Sequence, residues 1–218
     1  VNMILPVNFD FTQGNLQDFA DCPYRFYLRY ILQIQWPALI VNDALEFEER
    51  VQAGVRFHRL IQQFLLGVPE DRISEMAAED PSQMLQIWLD GFFTNVPAWI
   101  TGERSVEASF ATTLAGQRLV AKFDLLLTSP DGSFTIFDWK TAKKPPRKEW
   151  LLERIQTRLY RFVLARAGAT SSLGVAVKPE KISMSYWYAS HPSTRIDLPY
   201  NTLAYEQDQA YFSALINE

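Results

Sequence analysis

The chain has 218 residues, 48% hydrophobic and 21% charged, with six Trp, nine Tyr, fifteen Phe and a net charge of −4. That is enough apolar material for one sizeable core, and it excludes disorder, whose signature is low hydrophobicity with high net charge; no apolar run approaches the roughly 20 residues of a bilayer span. The single cysteine, Cys22, excludes a disulfide framework, a Cys-based zinc site and a four-thiolate iron–sulfur cluster within one chain.

Residues 12–32 place Leu16, Phe19, Ala20, Phe26, Tyr27 and Tyr30 at helical spacing, with a turn or kink at Cys22-Pro23. Asn2, Asn8 and Asp10 stand where a signal segment would be basic and then apolar, so a cytoplasmic location is expected. A stronger helix is predicted over 44–66, with Phe47, Val51, Val55, His58, Ile61 and Leu65 on one stripe and Gly67 and Pro69 ending it. A third, over about 82–93, carries Met84, Leu85, Ile87, Trp88, Phe92 and Phe93.

The character then turns to strand. Three β-prone runs, 106–114, 119–128 and 133–141, are separated by Ala115-Gly116 and by Ser129-Pro130-Asp131-Gly132. The paired prolines of Lys144-Pro145-Pro146-Arg147 predict a loop. A helix over 150–167 closes at Gly168, strands follow over 181–190 and 194–198, and a last helix spans 203–216. This order predicts a mixed α/β fold with a central sheet, not a doubly wound parallel one. The expectation is a single domain over 1–218, with residues 1–100 mainly helical and 101–218 forming the sheet core with flanking helices.

Charge is unevenly spread. From Lys140 to Arg166 there are nine basic residues against Glu149 and Glu153, so this window is +7 and the remainder −11. Such a stripe either attracts phosphate or is a solvated helix face. Arg154, Arg158 and Arg161 lie off the apolar stripe of their helix and could follow a phosphate backbone. Gln156 and Tyr160, four apart, share a face with Leu152 and Val163, either beside a site or as the polar edge of a buried stripe.

The most informative stretch is 122–140. Pro130-Asp131-Gly132 suits a three-residue hairpin loop, which sets Ser129 against Ser133 and Asp124 against Asp138. Cross-strand partners lie about 4.5–5.5 Å apart at Cβ on one face, and alternation puts Lys140 on that face too. The neighbours Phe123, Leu125, Phe134, Ile136, Phe137 and Trp139 are apolar. Two carboxylates this close in low dielectric call for a cation, and a hard divalent metal with oxygen ligands would serve. The alternative is an Asp–Lys salt bridge at a strand end, with the second Asp capping a loop. His58 is open to two readings as well: a hydrogen-bonded core histidine or a ligand.

Asp124 followed by Asp138-Trp139-Lys140 after a short hairpin resembles the core of the PD-(D/E)XK nuclease superfamily, and in particular its RecB-like branch. Other motifs of the resemblance lie in order: 16–27, similar to the opening helix; Gly54-Val55-Arg56-Phe57-His58, the histidine motif; Glu107-Ala108-Ser109-Phe110, the strand before the hairpin; and Gln156-Thr157-Arg158-Leu159-Tyr160, the Gln-x-x-x-Tyr motif. Where members often have Gly shortly before the first Asp, this chain has Ala121-Lys122-Phe123.

The resemblance implies a restriction-endonuclease-like core, a central mixed β-sheet flanked by helices with an N-terminal helical portion. It makes Asp124, Asp138 and Lys140 catalytic, with His58, Asp124 and Asp138 holding Mg²⁺ or Mn²⁺. Glu107, Gln156 and Tyr160 stand behind them, and no iron–sulfur cluster is expected. Lys143, Lys144, Arg147, Arg154, Arg158 and Arg161 would grip DNA. The expected function is a metal-dependent DNA nuclease of repair, recombination or defence. The alternative is a catalytically silent relative that binds DNA or a helicase partner. No membrane partner is expected.

Overall fold

In a computed structural model of the chain, the described residues are 5–6, 8–34, 42–168, 173–174 and 176–218, without the side chains of 42–46. Of the residues that bear on targeting, Asn2 lies outside them, whereas Asn8 and Asp10 are described. Strand β1 (Asp10–Phe11) leads into α1 (Gln13–Asp21), where the Thr12 hydroxyl accepts from the Asn15 N–H and the Asn15 side chain accepts from the Thr12 N–H. Extended Cys22 and then Pro23 end that helix, so α2 (Pro23–Phe26) and a π-helical turn (Tyr27–Ile31) follow after the expected kink. Cys22, which would suit a small core residue, is only half-buried at this junction.

Helix α3 (Asn42–Leu65) buries Ala53, Phe57, Leu60, Ile61 and Leu65. The sequence stripe is offset from this face: Phe47, Val51 and Val55 are exposed, and His58 sits at the boundary. Helix α4 (Glu70–Ala78) is an addition to the sequence expectation. Its start sits on Pro69, with Glu70 and Asp71 in the first turn, where acidic side chains suit the helix dipole. Helix α5 (Gln83–Asn95) buries Leu85, Trp88, Leu89 and Phe92. No helix among the described residues is long and apolar enough to cross a membrane.

The next strands depart from expectation in an instructive way. Strands β2 (Glu103–Val106) and β3 (Ser109–Leu114) pair antiparallel with β5 (Leu125–Thr128) and β4 (Gln117–Lys122). Together they form one long hairpin in unbroken register, bent in the middle so that each half joins a different sheet. At the bend the Phe123 N–H donates to the Ala108 carbonyl (2.9 Å) and the Glu107 N–H to the Asp124 carbonyl (3.1 Å). Glu107 adopts φ 53°, a left-handed conformation that a non-glycine residue holds at some cost and that turns the strand. The run expected as one strand over 119–128 is therefore two, and Asp124 lies at the corner.

Strand β6 (Phe134–Lys140) continues from β5 through the Pro130-Asp131-Gly132 turn, with Gly132 at φ 74° and the Ser129 N–H donating to the Ser133 carbonyl at 2.9 Å. Helices α6 (Lys148–Glu153) and α7 (Ile155–Ala167) cross over to β7 (Ile182–Tyr188), parallel to β6. Extended Arg154 separates the two helices where one was expected. Strand β8 (Arg195–Pro199) and helix α8 (Thr202–Asn217) complete the chain.

The sheets run β1-β4-β3 and β2-β5-β6-β7-β8. Alternation along β6 sorts the core. Phe134 and Ile136 face α7, with Leu126, Met184 and Tyr186. Phe137 and Trp139 face α3 and α5, where Trp139 meets Phe92 at 5.2 Å and Trp187 stacks on Phe57 at 5.7 Å. Asp138 and Lys140 follow Ile136 onto the α7 face, at the end of the sheet.

Candidate active site

Pairing of β5 with β6 ends at Leu125 opposite Phe137, so the next opposed positions are Asp124 and Asp138. The Asp124 carboxylate accepts the Trp139 N–H (2.9 Å) through Oδ2, which also lies 3.4 Å from His58 Nδ1. Asp138, 4% exposed, has Oδ2 2.6 Å from the Lys140 ammonium, and its Oδ1 accepts the Gln156 amide (2.6 Å). Lys140 in turn donates to Gln156 Oε1 at 2.9 Å. Gln156 therefore clasps acid and base at once, which explains why a glutamine suits this position: it needs a donor and an acceptor on one rigid fork.

Burial pushes the Asp138 carboxyl above the ordinary carboxylate range; Lys140 works against this and Asp124 adds to it. For His58, burial disfavours the charged ring, yet the hydrogen bond and charge of Asp124, with Asp138 behind, raise its pKa above the usual value. His58 reaches Asp124 because α3 approaches the end of the sheet closely. A Cβ on Gly54 would lie 2.9 Å from Thr141 Oγ1, and Arg50 donates to the Thr141 carbonyl at 3.0 Å.

Tyr160 is buried, with its ring 5.1 Å from Phe123. Burial first, then the negative charge of Asp138, raises its pKa, and Gln156 opposes them. Glu107 sits at the bend beside Asp124 with its carboxylate 2.5 Å from Lys122 Nζ. Among the described residues no three His, Cys, Asp or Glu side chains are grouped as a ready-made metal cage. His58 instead pairs with one of the two carboxylates expected to share a metal with it.

The basic stripe divides. Lys143, Lys144, Arg147 and Arg154 are exposed on the loop and helices after Lys140. Arg161 is 3% exposed, donates to the carbonyls of Thr157 and Pro199, and lies 4.6 Å over the Tyr200 ring. Arg158 pairs with Asp208 at 2.5 Å and covers Tyr211. Both bind α7 to β8 and α8, so the sequence expectation that they contact DNA is corrected: later strands and helices cover the face that periodicity leaves polar. Arg161→Gln should therefore cost about 1–3 kcal/mol, because the Pro199 carbonyl loses its donor. Urea titration should register that loss, and nucleic-acid affinity should stay unchanged.

Tyr188 is absent from the sequence-based site. It lies opposite Lys140 in the parallel β6–β7 pair, on the same face, and its buried hydroxyl has no hydrogen-bond partner. Burial, with the charge of Arg154 opposing and that of Asp138 reinforcing, pushes its pKa up to about 12, so it is a donor at neutral pH. Only the long-range pairing of β7 reveals this. Its neighbour Tyr186, 2.8 Å from the Thr157 hydroxyl, is already satisfied.

A family model of the PD-(D/E)XK nuclease superfamily matches residues 10–218. The fold is similar to that of an exonuclease candidate from Eubacterium rectale, with TM-score 0.56 and 8% identity, over 95% of this chain and 78% of that one. A second solved structure, of SSO0001, aligns at TM-score 0.42 and 12% identity over 99% of this chain and 76% of its own. Among curated proteins none matches in sequence.

Proposed function

The chain belongs to the PD-(D/E)XK nuclease superfamily, and from that membership we propose that it is a divalent-metal-dependent deoxyribonuclease working through Asp124, Asp138 and Lys140. The superfamily generally uses metals such as Mg²⁺ or Mn²⁺. The observation that most supports the reading is the state of Asp138: its Oδ2 atom is buried without a well-directed hydrogen bond, and its charge is held at a cost that a cation would relieve. Two carboxylates on adjoining strands, without a closed cage, suit Mg²⁺ or Mn²⁺, which keep several waters of their own. Asp124 and Asp138 would hold the ion, and His58 would join them only by turning from Asp124.

When bound, such an ion supplies charge that acidifies a water and polarises the phosphodiester. The chain's own groups do the remainder. Lys140 carries a positive charge to the phosphate as negative charge develops there, held ready by Gln156. Lys143, Lys144 and Arg147, exposed on the loop after Lys140, attract the backbone. Repair, recombination or defence is the fitting setting, with a helicase partner to unwind duplex.

The test is cleavage of linear duplex, circular duplex, single-stranded DNA and RNA with Mg²⁺, with Mn²⁺ and with EDTA. DNA cut only in the metal arms supports the reading. Binding without cutting in every arm would instead identify a silent relative.

Gly54→Ala gives a finer check. The added Cβ forces Thr141 or α3 to give way, and α3 carries His58. Turnover should fall about tenfold or more, since small misplacements near reacting groups are costly. Stability should change little because Ala favours the helix by about 1 kcal/mol. Adding Thr141→Ala, which removes the obstructing hydroxyl, should recover turnover.

A further inference from the structure

An open cavity of about 590 Å³ is lined by Gln13 and Gln17 of α1, Trp150 and Glu153 of α6, Arg154, and Gln156 of α7. Its volume falls within the roughly 300–1,000 Å³ of small-ligand pockets. Two features set it apart. Trp150 is 70% exposed, whereas Trp88, Trp139 and Trp187 are buried in the core. Gln156, which lines the cavity, is also the residue that holds Asp138 and Lys140, so a single side chain joins the cavity to the candidate catalytic groups.

We infer that this cavity is a subsite for one unpaired nucleotide next to the scissile phosphate, with its base stacked on Trp150; the inference rests on the nuclease reading and names single-stranded segments as the favoured substrate. An exposed indole beside an arginine is the chemistry that binds single strands, since every base has a face to stack and each nucleotide a phosphate to pair. In a duplex that face is covered by the neighbouring base pairs. Arg154 supplies the cation. It lines the cavity together with Trp150, and it is the residue that separates α6 from α7, one position before Ile155 and two before Gln156. The amides of Gln13 and Gln17 add donors and acceptors for a base edge. Lys143, Lys144, Arg147 and Lys148, exposed on the stretch of chain just before Trp150, add positive charge that a nucleic-acid strand complements.

The probe is a pair of twelve-unit strands, an oligothymidylate and an abasic chain with the same phosphates. Each is titrated by fluorescence anisotropy in EDTA, where no cleavage interferes. The parent protein should prefer the strand with bases by about tenfold or more. Trp150→Ala should lose that preference while binding the abasic chain as before, and Trp150→Phe should keep most of it. No preference in the parent, or an equal loss on both strands in Trp150→Ala, overturns the inference. So does an equal loss on a blunt duplex, which would assign the indole to paired DNA. The two readings fail separately. Base preference without any metal-dependent cleavage keeps the subsite and sinks the nuclease; cleavage without base preference does the reverse.

Discussion

Asp138→Asn should reduce metal-dependent cleavage about a thousandfold or more while leaving the melting temperature within a few degrees of the parent. The asparagine keeps the shape and an oxygen to accept the Gln156 amide. It loses the charge, which burial already penalises, and it turns an NH2 group toward the Lys140 ammonium in place of the accepting Oδ2, so that ammonium must move away. Lys140 is not stranded by the change, because its side chain is one-quarter exposed and still donates to Gln156. A stability change of about 1 kcal/mol shifts the midpoint of a chain this size by about 2–4 °C. Catalysis should suffer far more. Losing one of two anionic ligands removes several kcal/mol of transition-state stabilisation, and each 1.36 kcal/mol is about tenfold in rate. Paired thermal melts and cleavage rates test this, and activity within tenfold of the parent would overturn the role of Asp138.

Lys140→Ala separates catalysis from charge balance. If the ammonium acts on the phosphate, the variant should bind Mn²⁺ as tightly as the parent or more so, since a nearby positive charge is gone, and should still lose about a hundredfold or more in cleavage. The competing idea is that Lys140 only neutralises Asp138. Breaking a fully buried pair costs about 3–5 kcal/mol. Here solvent reaches the lysine, so the cost should be smaller. On that idea saturating Mn²⁺ replaces the missing charge and restores both stability and cleavage. Calorimetry of Mn²⁺ binding beside a cleavage assay on this one variant decides between them.

What the sequence could reveal follows how local each feature is. The Asp124–Asp138 apposition is legible because Pro130-Asp131-Gly132 dictates the turn and strand alternation carries the register back five residues. Gln156 and Tyr160 are legible as one helix face. The corner at Asp124 is not, since Leu119 to Thr128 stays β-prone through the bend and only the partner strand, with Glu107 at positive φ, shows that two sheets meet there. Arg161 looks like surface because its own helix turns it off the apolar stripe, whereas β8 and Tyr200, far along the chain, bury it. Tyr188 and Trp150 are missed for opposite reasons. One depends on a parallel pairing across a long crossover, and the other is an aromatic residue whose exposure no periodicity announces.

The most direct measurement is anomalous diffraction from crystals soaked in Mn²⁺. A metal peak between the Asp124 and Asp138 carboxylates, with Lys140 displaced from its contact with Asp138, is the result expected of a nuclease centre built on these two strands. An intact Lys140–Asp138 pair at saturating Mn²⁺, with no peak between the carboxylates, would contradict it.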